Sequence, residues 1–306
     1  MPRPLRRLLP EEAYFVTNRT FEQRFFFKPS NKVNEIIGRC LAKAIATYEI
    51  QLFAFVFMAN HFHFVLRAPL GNLSDFMACF QSMLARDINR HLGRNGPMFQ
   101  RRYSAIPILD EGAFIERMVY TLNNPVKAGL VNQAGQHTGL SSFPETFQNK
   151  SRSFCWMDRS RWWQAGCPKK SKAFEKRVPL RITPLAKPWR MMLEQELKSD
   201  ALRLKQERQA SGKALLRSAK AKRIKTTDRP KSSKRSPQPR CHSTEPKLRA
   251  AFDEVWHRFV QTFREGAMCV AQGNWLDAVF PPGSFPPTRY PVRFDGCESI
   301  TATLCF

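Results

Sequence analysis

Acidic residues are scarce in this chain: 25 Asp and Glu stand against 50 Lys and Arg in 306 residues, a net charge of +25. That imbalance argues for a polyanionic partner, with nucleic acid the default. Long apolar runs are missing too. No stretch approaches 18 uncharged apolar residues, so a membrane-spanning helix and a membrane partner are not expected. The opening Met1-Pro-Arg-Pro-Leu-Arg-Arg-Leu-Leu-Pro10 lacks the apolar centre of a secretory signal. A reduced, cytoplasmic and nucleoid-associated setting follows as the expectation. The eight cysteines contain no Cys-x-x-Cys pair, which excludes a zinc ribbon and leaves the thiols free. No phosphate-cradling glycine loop is present, so a nucleotide cofactor is not expected.

The basic excess is unevenly placed. Residues 1–145 carry 17 Lys/Arg and 11 Asp/Glu, 146–241 carry 27 and 7, and 242–306 carry 6 and 7. Three regions are predicted on that basis. Residues 1–145 form the ordered first domain; 146–241 form a basic, Pro-containing linker, partly helical or disordered; 242–306 form a helical segment with a Pro-rich end. Within the middle region, 190–224 reads as helical and Arg229 to Pro239 as disordered. In the last, Leu248, Phe252, Val255, Phe259 and Phe263 recur at helical spacing over Lys247 to Ala271, giving an aromatic face that should pack on the first domain.

The first 145 residues alternate strand and helix signals. Ala13 to Asn18 suits a strand, and Lys32 to Glu49 repeats its apolar residues at three and four, as an amphipathic helix does. Gln51 to Phe57 and His61 to Arg67 form a hairpin around Met58-Ala-Asn60. A helix follows from about Leu73 to Leu92, with Asn72 as its expected cap and Gly93 closing it. A strand near Ser104 to Leu109 leads into a helix from about Glu111. Pro125 ends that helix near Asn123 or Asn124. The order β-α-β-β-α-β-α predicts an α+β fold, an antiparallel sheet with helices on one face.

Two features carry chemistry. In His61-Phe62-His63, alternate strand residues share a face, so two imidazoles can address one metal ion. In Tyr120-Thr-Leu-Asn-Asn124-Pro125-Val126-Lys127, Tyr120 and Asn124 lie one helical turn apart, a phenol beside an oxygen ligand. Each has a plainer reading: half-buried histidines supporting the hairpin, a packed aromatic, and an Asn-Pro helix end. Glu116 reads as a solvated helix charge, and Tyr103 competes with Tyr120 as the phenol. Gln100, Arg101 and Arg102 follow a Gly96-Pro97 turn that can present guanidiniums to phosphates; Arg86 and Arg90 would extend that surface.

These motifs, together with Phe99-Gln-Arg-Arg-Tyr103 and Asn124-Pro-Val-Lys-Ala-Gly-Leu-Val131, resemble the single-tyrosine HUH transposases, above all the REP-associated branch, over residues 1 to about 145. The resemblance implies a ferredoxin-like HUH core, with Tyr120 as nucleophile. His61, His63 and Asn124 would be ligands of Mg²⁺ or Mn²⁺. It further implies single-stranded or hairpin DNA as partner, a 5′-phosphotyrosine intermediate, and a monomer over a dimer. Arg19, Arg86, Arg90, Gln100, Arg101, Arg102 and Lys127 are the expected DNA contacts. Where relatives carry Ser-Arg-Gly around Arg19, this chain has Thr20 in place of the glycine. Two other classes stay open: a domesticated, non-cleaving nucleic-acid-binding protein, and an HUH replication initiator or relaxase.

Overall fold

The computed structural model describes residues 5–148, 150–169, 172–216, 223–230 and 238–295. Its centre is a four-stranded antiparallel sheet in the order β2-β3-β1-β4, made of β1 (Ala13–Arg19), β2 (Gln51–Phe57), β3 (His61–Arg67) and β4 (Ser104–Ile108). Between the strands run α1 (Asn31–Tyr48) and α2 (Leu73–His91), which gives a ferredoxin-like β-α-β-β-α-β order. α3 (Glu111–Leu122) follows β4, then a single helical turn, α4 (Asn124–Lys127), and a short α5 (Phe143–Phe147). The hairpin and helix periods predicted for the first domain are present, whereas the helix read over 190–224 ends at Ala210, with Ser211 and Gly212 in a turn. Asn72 is an exception: its side chain makes no cap bond and instead donates to the Tyr48 carbonyl at 2.9 Å.

Strand alternation sorts the core into two layers. Tyr14 and Val16 on β1, and Phe62, Phe64 and Leu66 on β3, point to the layer of α1 and α2. Ala13, Phe15 and Val65 point the other way, where α3 supplies Ala113, Phe114, Met118 and Leu122. The one-face expectation thus holds for α1 and α2, while α3 covers the opposite face. The signal was available in β2, where Leu52-Phe-Ala-Phe-Val-Phe57 is buried without interruption, the mark of a strand covered on both sides. A bulge between Leu52 and Ala54 lets Phe53 and Ala54 both serve the α3 layer before alternation resumes.

The remainder of the chain builds onto this sheet. β5 (Ser153–Met157) and β6 (Glu175–Pro179) pair antiparallel, with α6 (Arg159–Gln164) between them, and the pair docks on α1. Contact is close enough to require Gly38: a Cβ there would sit 2.2 Å from the Phe154 ring. α7 (Lys187–Ala210) buries Leu193 and Leu197 against α3, and Asn123 Nδ2 donates to the Leu197 carbonyl and to Asp200, both at 2.9 Å. α8 (Pro246–Ala271) packs Phe252 with Leu109 and Cys241, so its aromatic face does meet the first half of the chain. Phe263 instead meets Phe280 of β7 (Val279–Phe280), which pairs with β8 (Arg293–Phe294). Of the Arg229 to Pro239 stretch read as disordered, residues 231–237 lie outside the described residues.

Candidate active site

His61 and His63 stand at the start of β3 on its α3-facing side, because Phe62 and Phe64 take the α1/α2 core and alternation leaves the imidazoles opposite. Their rings are 5.0 Å apart and nearly perpendicular. His63 is buried, stacked on Phe15 at 5.2 Å and 13°, and neither of its ring nitrogens has a hydrogen-bond partner. His61 is anchored: Nδ1 lies 2.7 Å from Asn60 Oδ1, and Nε2 lies 3.3 Å from Asn124 Oδ1.

α3 delivers Tyr120 to the same place. Asp110 starts the helix, its Oδ1 accepting from the Ala113 amide at 2.8 Å, and the apolar stripe of Phe114, Met118 and Leu122 sets the rotation. Tyr120 then meets His63 edge-on at 5.3 Å and Phe15 at 5.7 Å. The helix stops at Leu122, and Asn124 opens the next turn with its side chain buried against His61. Lys127 Nζ lies 4.9 Å from the Tyr120 ring centre. Tyr120, Arg117, Lys127 and Glu116 line an open cleft of about 600 Å³, closed on its far side by Glu196, Asp200 and Arg203 of α7. Neither imidazole lines it.

Electrostatics keep both histidines neutral. Burial pushes the His61 imidazole down to about 4, with the Arg19 charge acting in the same direction and the Asn124 hydrogen bond opposing. Burial also holds His63 well below the ordinary histidine range, aided by His61, Arg19, Arg117 and Lys127. Neutral imidazole is the ligating form. Among the described residues no group of three or more His, Cys, Asp or Glu could hold a metal ion; beside the two imidazoles stands the Asn124 amide oxygen, 3.3 Å from His61 Nε2. That set fits a divalent cation: buried His63 nitrogens without partners are costly unless something binds them.

The other predicted residues divide. Arg19 pairs opposite His61 across the β1–β3 ladder, the Gln100 backbone N–H donates to the Arg19 carbonyl at 3.2 Å, and Asn18 Nδ2 donates to the Arg101 carbonyl at 3.2 Å. Arg19, Gln100 and Arg101 therefore gather at the strand end beside the histidines, whereas the Arg102 charge acts on Arg6, which lies over the Tyr103 ring. Arg86 and Arg90 do not join them. They sit on α2, behind the sheet, around Asp87. Tyr103 is on that layer as well, buried with its hydroxyl 3.2 Å from Ser74 Oγ and the Arg6 guanidinium over its ring. Glu116 is exposed, 3.7 Å from Arg117.

Two residues at the site were missed in the sequence. Arg117 lies 5.3 Å from the Tyr120 ring centre, with a buried Nε that has no partner. Its position three before Tyr120 on the helix was the available signal. His242 comes from the distant segment before α8, bridges in parallel to Ile108 at the β4 edge, and meets Phe15 edge-on at 5.5 Å. Burial, then Arg117, pushes its imidazole down to about 3. No local pattern marks it.

Residues 14–115 match the family model described as "Transposase IS200 like". That segment belongs to the IS200-like transposase family. The IS200-like match takes in both histidines and stops five residues before Tyr120. The structure is similar to that of a REP-associated tyrosine transposase bound to a REP hairpin, at 17% identity and a TM-score of 0.41, covering 48% of this chain and 86% of that one. It is also similar to a chain from Deinococcus radiodurans R1 described as a candidate transposase, at 18% identity and a TM-score of 0.29, covering 39% and 93%. No curated protein matches the chain. Among the described residues no helix is long and apolar enough to cross a membrane.

Proposed function

We propose that this transposase nicks and rejoins single-stranded DNA at hairpin-forming repeats, with Tyr120 as nucleophile. The observation that carries the reading is the meeting of Tyr120 with His63 at 5.3 Å while Asn124, one turn on, reaches His61. A binding protein needs none of these contacts. In the proposed reaction the Tyr120 oxygen attacks phosphorus and the bond to the 3′ oxygen breaks, leaving a 5′-phosphotyrosine; the phenolic proton passes to solvent and the leaving 3′ oxygen takes one up from solvent to become a free 3′-hydroxyl. A second 3′-hydroxyl then reverses the step and restores Tyr120. Because the ester is exchanged and not lost, no ATP is needed.

His61, His63 and Asn124 would hold Mg²⁺ or Mn²⁺. Such an ion polarises a phosphoryl oxygen and offsets charge that develops in the transition state. Arg117 and Lys127 flank the Tyr120 ring and put positive charge where the transferred phosphate would lie. Arg19, Gln100 and Arg101 come together at the strand end that carries His61 and would hold the strand entering the site, with Arg102 extending that contact. A monomer is the proposed working unit.

The test is hairpin nicking with Mn²⁺, measured at saturating DNA. His61→Ala and His63→Ala should each abolish cleavage while leaving hairpin affinity within a few-fold, because the ion acts mainly on the transition state. Asn124→Ala should be milder. Cleavage that persists in EDTA would overturn the metal-assisted reading.

A further inference from the structure

Behind the sheet, on the layer away from Tyr120, one buried carboxylate faces four guanidiniums. Asp87 of α2 is met by Arg39 of α1 at 2.9 Å, Arg159 of α6 at 3.3 Å, and Arg86 and Arg90 of its own helix at 3.6 and 3.8 Å. Of the four guanidiniums Arg39 is the one that hydrogen-bonds to it, and the Cys40 thiol also donates to it at 3.9 Å. The Arg86, Arg90 and Arg159 side chains are 54, 60 and 41% exposed, so they stand at the surface within reach of solvent. One negative charge cannot offset four positive ones, and mutual repulsion at this spacing favours an added anion.

The cluster is assembled from separate parts of the chain. Arg159 reaches it only because the β5–α6–β6 unit is seated on α1, by Phe154 against Gly38 and by the Cys155 amide donating to Glu35 at 3.2 Å. The same unit carries an aromatic. Trp163 is one turn beyond Arg159 on α6, on the same side of the helix, and its side chain is 74% exposed. Fixed cations beside an exposed aromatic ring are the elements of a single-strand binding surface, since every base has a face that can stack.

We propose that Arg86, Arg90, Arg159 and Trp163 bind the unpaired DNA flanking the hairpin, phosphates on the guanidiniums and a base on the indole. This rests on the reading of the chain as a DNA-processing enzyme, and it adds a second contact surface on the layer opposite the nucleophile. A double-helical stem would use the guanidiniums and leave Trp163 unused.

The experiment uses the full chain and two probes, an unstructured oligothymidylate and a blunt hairpin without tails, followed by fluorescence anisotropy across a salt series. Replacing Arg86, Arg90 and Arg159 together with Gln should lower the slope of log affinity against log salt for oligothymidylate by about 2, at about 0.7 per lost contact. Replacing all three with Lys keeps the charge and should keep the slope, which controls for folding. Trp163→Ala should weaken oligothymidylate roughly tenfold and leave the blunt hairpin within twofold. Unchanged affinity and slope in the Gln variant would overturn the proposal. So would equal loss in the Lys and Gln variants, or loss for the blunt hairpin with Trp163→Ala silent, which would make the surface a duplex site. Covalent adduct formation through Tyr120 is read separately: its absence in the unmodified chain counts against the nicking reading, while the anisotropy result still decides this one.

Discussion

The two sides of the central sheet are built from the same strands and differ in almost everything else. On the α1/α2 side, alternate residues of β1 to β3 are aromatic or aliphatic, and Phe57, Phe62, Phe64 and Phe80 form a ring-on-ring core with centroids 4.6–6.2 Å apart. On the α3 side the same alternation brings His63 against Phe15 and Tyr120, with His61 beside it, and the buried His63 imidazole has no hydrogen-bond partner. Among the described strand residues, those facing α1 and α2 bury no unpartnered polar atom, whereas those facing α3 include an imidazole with neither nitrogen paired. That contrast separates residues that hold the fold from those proposed to do chemistry, and it can be broken experimentally from either side.

The largest stability effect should come from the closed side. Phe80 is fully buried against Phe57, Phe62 and Phe64, so Phe80→Ala should cost about 3–5 kcal/mol, measured by denaturant unfolding. A loss below about 1 kcal/mol would mean this layer is not close-packed. Gly38→Ala comes next. The Phe154 ring must leave its seat, a loss of roughly 1–3 kcal/mol that outweighs the ~1 kcal/mol alanine gains in a helix. Its signature should be greater protease sensitivity in the β5–β6 unit, with the sheet intact.

Asp110 joins α3 to the C-terminal segment, accepting from the Ala113 and Thr244 amides and from the Thr244 hydroxyl. Asp110→Ala should cost about 1 kcal/mol as a lost helix cap. Burial alone would raise this carboxyl, but hydrogen bonds from Ser243, Ala113 and Thr244 outweigh it and hold it below the ordinary range. Its contribution is therefore complete above the unfolded value of about 3.9 and is lost as pH falls through the lower folded value. The difference in stability between the native chain and Asp110→Ala should shrink below about pH 4; an undiminished difference would rule out this linkage.

The smallest stability effect sharpens the comparison most. His63→Phe keeps the stacked ring and removes two unpartnered nitrogens, so stability should stay within about 1 kcal/mol of the native chain, or rise. Cleavage should vanish. A strongly destabilised His63→Phe would show that the histidine is structural.

Much of this arrangement was legible in sequence because it rests on local periodicity. The His61–His63 spacing, the β2–β3 hairpin and the Tyr120–Asn124 turn follow from strand and helix repeats, and Pro125 ends α3 near where expected. What could not be read depends on which face an element covers. Arg86 and Arg90 share helical spacing with one another, but nothing local says that α2 lies behind the sheet from Arg101. Asn72 looked like a cap until α1 offered it the Tyr48 carbonyl. His242, more than a hundred residues from Tyr120, reaches Phe15 only through a tertiary bridge to Ile108.

The most direct measurement is covalent capture. Incubating the chain with a hairpin-bearing single strand and Mn²⁺, then denaturing, should leave a protein–DNA adduct that is lost in Tyr120→Phe and kept in Tyr103→Phe, since Tyr103 is buried in the opposite layer. An adduct that survives Tyr120→Phe would contradict the assignment of Tyr120 as the nucleophile.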